Sequence, residues 1–187
     1  PLFVKSIAAA LQDELSDYRF LVGGCAVPGR LDRKKGLGLD FGNLDWHNVP
    51  IGPDIKQAAG GAPIYIENDA NLAGLSEAIS HKKYRKVLYL TLSTGIGDGI
   101  IIDGKISQDF ADSEPGQMIL EHDGELKRWE DIASGRALVE RFGKKAADQD
   151  SPKVWKTFAQ DIAKGLEHVI AIVQPDVVII GGSVGKY

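Results

Sequence analysis

The chain opens on a regular spacing of apolar positions. Large apolar residues recur every four positions at Phe3, Ile7, Leu11 and Leu15, mostly with small or polar residues between them. This period places the four side chains on one face of a helix, so the pattern predicts an amphipathic helix from Leu2 to Ser16. One side of that helix is expected to pack against a core.

Further helices are predicted by the same period and by start and stop signals. Ser151-Pro152 combines a capping residue with proline at the first helical position, and the apolar stripe that follows continues to Pro175. Residues 129–142 also have a helical pattern, interrupted near Ser134-Gly135. Two shorter helices are predicted over 54–59 and 69–80.

Apolar runs bounded by glycine, proline or charged residues predict the strands. The runs are 20–27, 63–67, 87–93, 99–103 and 176–180. Residues 30–50 and 108–125 lack a clear period and are predicted to be irregular, the first with room for one short strand. Because helices alternate with nearly continuous apolar strands, the sequence predicts the α/β class.

Composition narrows the partners and the compartment. The 187 residues are 43% hydrophobic and 26% charged, which is ordinary for a globular protein that buries a core. A net charge of −4 gives no electrostatic basis for binding nucleic acid or membrane phosphates. No apolar run approaches the roughly 20 residues of a membrane span and no signal peptide is evident, so a cytoplasmic protein is expected. The single cysteine, Cys25, excludes an intrachain disulfide framework and a cysteine-rich zinc site.

A glycine-rich segment, Ser93 to Gly99, separates two of the apolar runs. Such a turn leaves backbone N–H groups free, and glycine lets a phosphate approach them closely. The segment is not a Walker loop, because no Gly-Lys-Ser/Thr follows it and it joins two strands. It therefore predicts a phosphate site, with an ordinary hairpin turn as the alternative. Gly181-Gly182 after the last strand is a weaker signal for a nucleotide.

The second candidate is the cluster Glu67-Asn68-Asp69-Ala70-Asn71, between a strand and a helix. Asp69 is predicted to cap that helix, whose N–H groups and dipole would keep the carboxylate ionised. An ionised aspartate at a strand end can accept the proton of an attacking hydroxyl, as the catalytic aspartate does in phosphoryl transfer. Asn68 can donate to a hydroxyl and accept from it. Glu114 and Glu130 are candidates for holding sugar hydroxyls, with surface charges as the alternative.

The order of these motifs resembles that of the ROK family of sugar kinases and sugar-responsive repressors. The matching segments are Val27 to Asp32, Asn43 to Trp46, Glu67 to Asn71, Leu92 to Gly99, Glu114 to Gln117, Glu130 to Gly135, and Gly181-Gly182. The resemblance implies the actin-like ATPase (ribonuclease H-like) fold, an α/β architecture of two lobes with a cleft between them. It also implies a transferase of carbohydrate metabolism, a glucokinase-like enzyme that uses ATP to convert glucose to glucose 6-phosphate.

The resemblance assigns roles to individual residues. Asp69 matches the catalytic base that takes a proton from the sugar hydroxyl. The residues that match sugar-binding positions are Gly29, Arg30, Asn68, Asp69, Glu114, Gln117 and Glu130. Those that match nucleotide-binding positions are Ser93, Thr94, Gly95 and Gly97 in the second phosphate loop, and Gly181 and Gly182 on the adenosine side. The expected cofactors are ATP and Mg²⁺, and the expected partners are a hexose and a second copy of the protein in a homodimer.

The sequence departs from the family at the zinc motif. The family's Glu-X-Gly-His is Glu114-Pro115-Gly116-Gln117 here, and residues 118–129 contain no cysteine. Zinc needs thiolate or neutral imidazole ligands in a tetrahedral set, which His122 alone does not provide. No structural zinc is therefore expected, while Gln117 keeps the ability to hydrogen-bond a sugar. Asp98 interrupts an otherwise all-glycine spacing, and its charge would oppose a phosphate if it pointed inward.

Both ends of the sequence are interpreted as cuts through a larger protein. The family's first phosphate loop, an Asp-x-Gly-x-Thr turn, has no counterpart before Pro1, and the closing C-terminal helices are missing too. The expected lobes are a partial N-terminal lobe, 1–83, and a partial C-terminal lobe, 84–187.

Two other functions stay open at this point. A sugar-sensing transcriptional regulator would keep the sugar site and add a DNA-binding region upstream of Pro1, although no nucleic acid is expected to bind this segment. A degenerate paralogue would bind sugar without transferring phosphate. The identity of the hexose and the choice between ATP and polyphosphate as donor also stay open.

Overall fold

The structure, a computed structural model, describes residues 2–41 and 44–187, with side chains from Val4 onward. The chain forms two compact units, Pro1–Leu72 and Ala73–Tyr187. The boundary between the units falls inside the helix of residues 69–80, because the second half of that helix packs on the sheet of the second unit. The lobes expected at 1–83 and 84–187 concern the complete protein, and their assignment stays a prediction.

The first unit contains short elements around a small core. Its helices are α1 (Leu2–Asp13), α2 (Ile51–Ala58) and the first turn of α3 (Asp69–Ser80). Its strands are β1 (Gly23–Val27), β2 (Arg30–Asp32), β3 (Leu37–Asp40), β4 (His47–Val49) and β5 (Ile64–Asn68). Strands β1 and β5 pair in parallel, while β2, β3 and β4 form an antiparallel sheet in that order. The core comprises Val27, Leu31, Phe41, Val49, Ile51, Ile55 and Ile66.

The second unit is built on a four-stranded sheet. Its strands are β6 (Lys86–Leu92), β7 (Ile96–Ile102), β8 (Lys105–Ile106), β9 (Ile119–His122), β10 (Glu125–Arg128) and β11 (Val177–Gly181). The sheet order is β11-β6-β7-β8, with β11 parallel to β6 and the other pairs antiparallel, and β9 and β10 form a separate hairpin. Its further helices are α4 (Trp129–Ala133), α5 (Gly135–Phe142), α6 (Pro152–Val173) and α7 (Gly182–Gly185), with 3-10 turns at Pro115–Gln117 and Ala146–Asp148.

The two faces of this sheet contact different parts of the second unit. Leu90 and Ile100 lie in the main core together with Trp129, which is fully buried. Val87 and Ile101 lie on the opposite face and pack against α3. The division follows from strand geometry, since successive side chains point to opposite faces. Position 98 belongs to the same face as Ile100.

The α/β class and the main helices are confirmed. Helix α3 covers the predicted residues 69–80, and Ser134 separates α4 from α5, with its hydroxyl accepting the Ala137 N–H at 3.2 Å. Ser151 caps α6 by accepting the Val154 N–H at 3.4 Å. Across the described ranges, no helix is both long and apolar enough to cross a bilayer.

Several loop predictions are wrong. Residues 30–50 contain β2, β3 and β4, the whole antiparallel sheet of the first unit, instead of one short strand. Gly97-Asp98-Gly99 belong to β7, so the turn itself is only Ser93 to Gly95. Residues 108–125 contain a 3-10 turn and the strand β9. Strands of three or four residues are too short to show a period, and glycines inside a strand resemble a turn in sequence.

Candidate functional site

The first cluster of candidate residues lies where β5 ends and α3 begins. Asn68 is the last residue of β5, and its Oδ1 accepts the N–H groups of Ala70 at 2.8 Å and Asn71 at 3.2 Å. Asn68 therefore caps the helix, and the prediction that Asp69 is the cap is wrong, because Asp69 already has a helical position. Its Oδ1 still lies 3.0 Å from the Ala70 N–H, so the carboxylate stays beside the positive end of the helix.

Gly29 and Arg30, which were predicted to approach a sugar, belong to the same cluster. Strands β1 and β5 are parallel with Val27 opposite Asn68, so their carboxyl ends lie at one edge. The Asn68 Nδ2 donates to the Gly29 carbonyl at 3.1 Å. Gly29 has a φ of +81°, and a Cβ there would collide with the backbone of Asp40, so the position requires glycine. Arg30 begins β2 and is exposed.

Glu67, next to Asn68, is held by an arginine that sequence reasoning did not identify. The Arg33 Nε lies 3.0 and 2.9 Å from the two carboxylate oxygens, and its Nη2 donates to Oε1 at 2.7 Å. The Asn68 N–H at 2.7 Å and the Asn71 Nδ2 at 3.1 Å also donate to Oε1. Burial opposes ionisation, but these donors, first among them Arg33, outweigh it and lower the pKa of Glu67. The ionised Glu67 thus fixes the strand end that carries Asn68 and Asp69.

In the second unit, the turn from Ser93 to Gly95 presents free backbone donors. Its carbonyls are occupied: the Gly135 N–H donates to the Ser93 carbonyl at 2.6 Å, and the Arg136 N–H donates to the Thr94 carbonyl at 3.4 Å. The Ser93 N–H donates to the Gly95 carbonyl at 3.0 Å. Among the described residues, the N–H groups of Thr94 and Gly95 have no hydrogen-bond acceptor. Free amides next to occupied carbonyls suit an anion such as a phosphate.

Gly182 and Ser183 lie against this phosphate turn. Gly182 has a φ of +88°, and a Cβ on it would collide with the carbonyl of Leu92, the residue before the turn. The Ser183 Oγ lies 3.2 Å from the Ser93 Oγ. Most of the predicted nucleotide residues thus lie together: Ser93, Thr94, Gly95, Gly181 and Gly182. The remaining one, Gly97, lies in β7.

Glu130 lies beside the phosphate turn. Its Oε2 is 2.9 Å from the point where a Cβ on Gly95 would stand, and 3.2 Å from the corresponding point on Gly116. The Gln117 Nε2 donates to the Glu130 Oε1 at 3.0 Å, and the Gln117 Oε1 accepts from the Arg128 Nη1 at 3.3 Å. The predicted sugar ligands Gln117 and Glu130 are therefore in contact, next to the predicted phosphate site.

Two arginines that sequence reasoning missed surround this carboxylate. Arg128 lies 3.6 Å and Arg136 lies 3.9 Å from the Glu130 Oε1. Both also pair with Asp131, at 2.8 and 2.9 Å. Each arginine stands at or near the start of a helix, where the dipole disfavours a cation. That unfavourable placement was the available signal that the two side chains serve a local anion.

The charge of Glu114 acts on the carboxyl group of Asp98. Glu114 precedes the 3-10 turn Pro115–Gln117. Burial raises the pKa of Asp98 to about 7, the Ser113 hydrogen bond opposes the rise, and the charge of Glu114 adds to it. The Asp98 side chain is buried on the core face of β7, beside Ile100, instead of pointing from the turn toward a phosphate.

Two further sequence predictions concern metal ions and residue 43. Within 2–41 and 44–187, no group of three or more His, Cys, Asp or Glu side chains could hold a metal ion, and the absence of zinc stays a prediction. His122 is buried, with its Nδ1 3.4 Å from the Asp161 Oδ1 and its Nε2 3.3 Å from the Asp123 Oδ2. Asn43, in the matched segment that ends at Trp46, lies outside the described residues.

Comparison with known proteins identifies relatives of this chain. The sequence model of the ROK family matches residues 1–187. A glucokinase of Streptomyces coelicolor is 33% identical over 155 residues, which cover 78% of this chain and 48% of the relative. A fructokinase of Zymomonas mobilis is 31% identical over 97% of this chain and 65% of its own length, and a xylose repressor of Caldicellulosiruptor bescii is 33% identical over 62% and 31%. The chain spans about half the length of the first curated relatives it matches.

Solved structures have the same fold. A ROK family glucokinase from Streptomyces griseus, in complex with glucose and AMPPNP, gives a TM-score of 0.78 at 27% identity, covering 97% of this chain and 71% of that one. A ROK family transcriptional regulator, a homologue of the E. coli MLC protein, gives a TM-score of 0.80 at 20% identity over 98% of this chain and 55% of its own, which shows the fold alone. The predicted actin-like ATPase fold is thereby confirmed.

Proposed function

Because the chain belongs to the ROK family, we propose that the complete protein is an ATP-dependent sugar kinase. Its leading substrate is glucose, converted to glucose 6-phosphate. The observation that carries the proposal is the position of Glu130 beside the phosphate turn at Gly95. Within one unit, a carboxylate suited to sugar hydroxyls adjoins free amides suited to a phosphate, and a kinase must bring those two groups together. Relatives named glucokinase and fructokinase support the same activity.

In the proposed reaction, Asp69 is the general base. Its carboxylate accepts the proton of the sugar hydroxyl as the hydroxyl oxygen bonds to the γ-phosphorus, and the bond from that phosphorus to the bridging oxygen breaks, releasing ADP. Asn68 orients the hydroxyl, and its own position is fixed because it caps α3 and donates to Gly29. The remaining proposed sugar ligands are Gly29, Arg30, Glu114, Gln117 and Glu130.

The nucleotide side of the site fits ATP. The free N–H groups of Thr94 and Gly95 would hold phosphate oxygens, and Gly182 keeps the backbone close to the turn because it lacks a side chain. Mg²⁺ bound with ATP would neutralise charge on the transferred group. Mg²⁺ takes many of its ligands from phosphate and water, so it requires few protein carboxylates.

The first test is ADP release by the complete gene product. Release would be measured with Mg²⁺–ATP and glucose, fructose, an N-acetylhexosamine or no sugar, and then with polyphosphate as the donor. Sugar-dependent release is expected, and the ratio of kcat/KM values ranks the sugars. No release with any sugar would contradict the proposed kinase.

The base is tested by Asp69→Asn. Turnover should fall by about 10²-fold or more, because the amide cannot accept the proton, while sugar binding persists. Asp54→Asn is the matched control, since Asp54 also stands in the first turn of a helix in the same unit. Full turnover by the Asp69 variant would refute the assignment.

A sugar-sensing regulator is the alternative function. It is favoured by the xylose repressor among the relatives and by the fold shared with a transcriptional regulator. A regulator, like a degenerate paralogue, would bind sugar without releasing ADP. Calorimetry with sugar alone, followed by the ADP assay on the same preparation, separates these functions from a kinase. A cytoplasmic location and a homodimer are further proposals that rest on the family.

A further inference from the structure

Asp98 is a carboxyl group on the core side of a sheet. Strand β6 places Leu90 opposite it, and Ile96 and Ile100 precede and follow it on the same face of β7. Only 6% of Asp98 is exposed. An ionised carboxylate in such apolar surroundings is unfavourable unless donors or a cation compensate it. The partners of Asp98 therefore decide its state.

The side-chain partner of Asp98 is the hydroxyl of Ser113, and the backbone N–H of Asp98 also donates to its carboxyl group. The Ser113 Oγ lies 2.8 and 2.9 Å from the two Asp98 oxygens and 2.8 Å from the Phe110 carbonyl. The hydroxyl has one proton, so it cannot donate to an ionised Asp98 and to the Phe110 carbonyl at once. If Asp98 is neutral, its O–H donates to Ser113, and Ser113 donates to Phe110. The geometry is thus satisfied in full by the protonated acid.

The charged neighbour of Asp98 supports the same state. Leu90 of β6 and the β7 residues on its face are apolar, and the charge that acts on Asp98 is that of Glu114, which follows Ser113. Burial, opposed by Ser113 and reinforced by Glu114, raises the pKa of Asp98 to about 7. Protonated and ionised forms therefore coexist near neutral pH.

Ser113 begins the segment that carries two proposed sugar ligands, Glu114 and Gln117. This sugar segment, residues 113–117, contacts β7 at two points. Ser113 is hydrogen-bonded to Asp98 at one end. Farther along, Gly116 approaches the Ile96 carbonyl so closely that an added Cβ would stand 2.5 Å from it. The position of Glu114 relative to the phosphate turn thus depends on the Asp98–Ser113 contact.

We infer that Asp98 is a positioning residue of the sugar site: through Ser113 it holds the sugar segment against β7, so that Glu114 and Gln117 face the hexose. The inference rests on the sugar-kinase function proposed above. When Asp98 loses its proton, an anion forms beside the Glu114 carboxylate and the hydroxyl chain to Phe110 is broken. Ser113 then donates to Asp98 instead of Phe110, the repulsion from the Asp98 anion displaces Glu114 from the hexose, and sugar affinity falls.

The expected size follows from the fraction of neutral Asp98. With a pKa of about 7, that fraction falls from about nine-tenths at pH 6 to about one-tenth at pH 8. If only the neutral form holds the segment in place, the apparent Kd for sugar rises about tenfold over this interval. Glucose, fructose and an N-acetylhexosamine are the probes, and the one that binds most tightly is used throughout.

The test is calorimetry of that sugar with the complete gene product, without nucleotide, at pH 6, 7 and 8. Asp98→Asn keeps a donor to Ser113 but does not titrate, so its Kd should stay near the wild-type value at pH 6 over the whole interval. Ser113→Ala removes the link and should raise the Kd about tenfold at pH 6. In the ADP assay, Asp98→Asn should lower the KM for sugar relative to wild type at pH 8, and Ser113→Ala should raise it at pH 6. Both variants should leave the KM for ATP within about twofold of the wild-type value. The control is Asp103→Asn, which removes an exposed aspartate from the turn after β7 and should keep the wild-type profile.

The outcomes separate the two proposals. A Kd for sugar that does not change with pH in Asp98→Asn, together with weaker binding by Ser113→Ala, supports the positioning role. A merely structural contact would not give this combination. If wild type binds sugar but Asp98→Asn keeps its pH dependence, or Ser113→Ala binds normally, the positioning role is overturned and the kinase proposal stands. If wild type binds none of the three sugars and releases no ADP with them, both proposals are overturned.

Discussion

Replacing Arg33 by methionine should loosen the strand end that carries Asn68 and Asp69. Methionine keeps much of the length of the arginine stem but removes the guanidinium, which contacts both oxygens of Glu67. Glu67 is the residue before Asn68, so its carboxylate fixes the last peptide of β5 and, through it, the start of α3. The perturbation thus acts on the proposed base without touching it.

The size of the effect can be worked from the contacts. Three N–H···O distances between Arg33 and Glu67 are 2.7, 2.9 and 3.0 Å, and the two side chains are 20% and 17% exposed. Hydrogen bonds to charged groups contribute about 1.5–3 kcal/mol, and breaking a fully buried pair costs about 3–5 kcal/mol. Because Glu67 keeps the donors of Asn68 and Asn71, we expect Arg33→Met to lower the free energy of opening this strand end by about 2–3 kcal/mol.

This contribution depends on pH with a definite sign. Because the pKa of Glu67 is lowered from its ordinary 4.5, the stabilisation is present above that value and is lost as the pH falls through the lowered one. The difference in opening free energy between wild type and Arg33→Met should therefore have its whole value at pH 7 and shrink below pH 4.5. A structural effect of the substitution unrelated to charge would persist in acid.

The assay is hydrogen–deuterium exchange of the peptide covering residues 64–72 in the complete protein. A loss of about 2–3 kcal/mol corresponds to exchange about 30- to 150-fold faster under conditions where opening is at equilibrium. Lys34→Met is the matched control, because it removes the same charge from an exposed neighbour in the same hairpin. Exchange by Arg33→Met at the rate of wild type or of the Lys34 variant at pH 7 would refute the reasoning.

Two more changes test other parts of the site. Asp98→Asn should raise the free energy of unfolding by about 2–4 kcal/mol at pH 8 and leave it nearly unchanged near pH 4. The reason is that wild type loses stability as the pH rises from the ordinary pKa of 3.8 to the folded value of about 7, and urea unfolding at both pH values checks it. Gly182→Ala should raise the KM for ATP about tenfold in the ADP assay, because the new Cβ collides with Leu92. Gly104→Ala, also at positive φ but with open space around it, should not.

The sequence predicted the elements whose ends are set by local chemistry. Helix α6 begins at Ser151-Pro152 because a hydroxyl cap and a fixed φ act within a single turn. The predictions failed where a residue's role depends on distant packing. Gly99 was assigned to the edge of a turn, yet it lies inside β7, where a Cβ on Gly74 of α3 would stand 3.3 Å from its Cα. A close approach of helix and strand needs small residues on both elements, and only the folded chain shows which two meet.

The candidate site shows the same division. Asn68 and Asp69 stand next to each other in the chain, so the motif was visible, although the capping role belongs to Asn68. Arg33 was invisible because its partner Glu67 is 34 residues away and nothing in the spacing of the hairpin indicates the contact. The ordered set of short motifs therefore indicated where chemistry lies, while the side chains that orient those motifs required the structure.

In the proposed sugar site, a response to pH would come from Asp98, because the histidine of the family motif is Gln117 here. The Gln117 amide donates to Glu130 and accepts from Arg128 at the same time, and it does not titrate. A histidine at this position could serve both partners only in one tautomer, and it would gain a proton near neutral pH. In this chain, burial raises the pKa of Asp98 to about 7, and Asp98 contacts the sugar segment through Ser113. In this proposal, Gln117 keeps the same donor and acceptor as the pH changes, and the proton on Asp98 sets the position of Glu114.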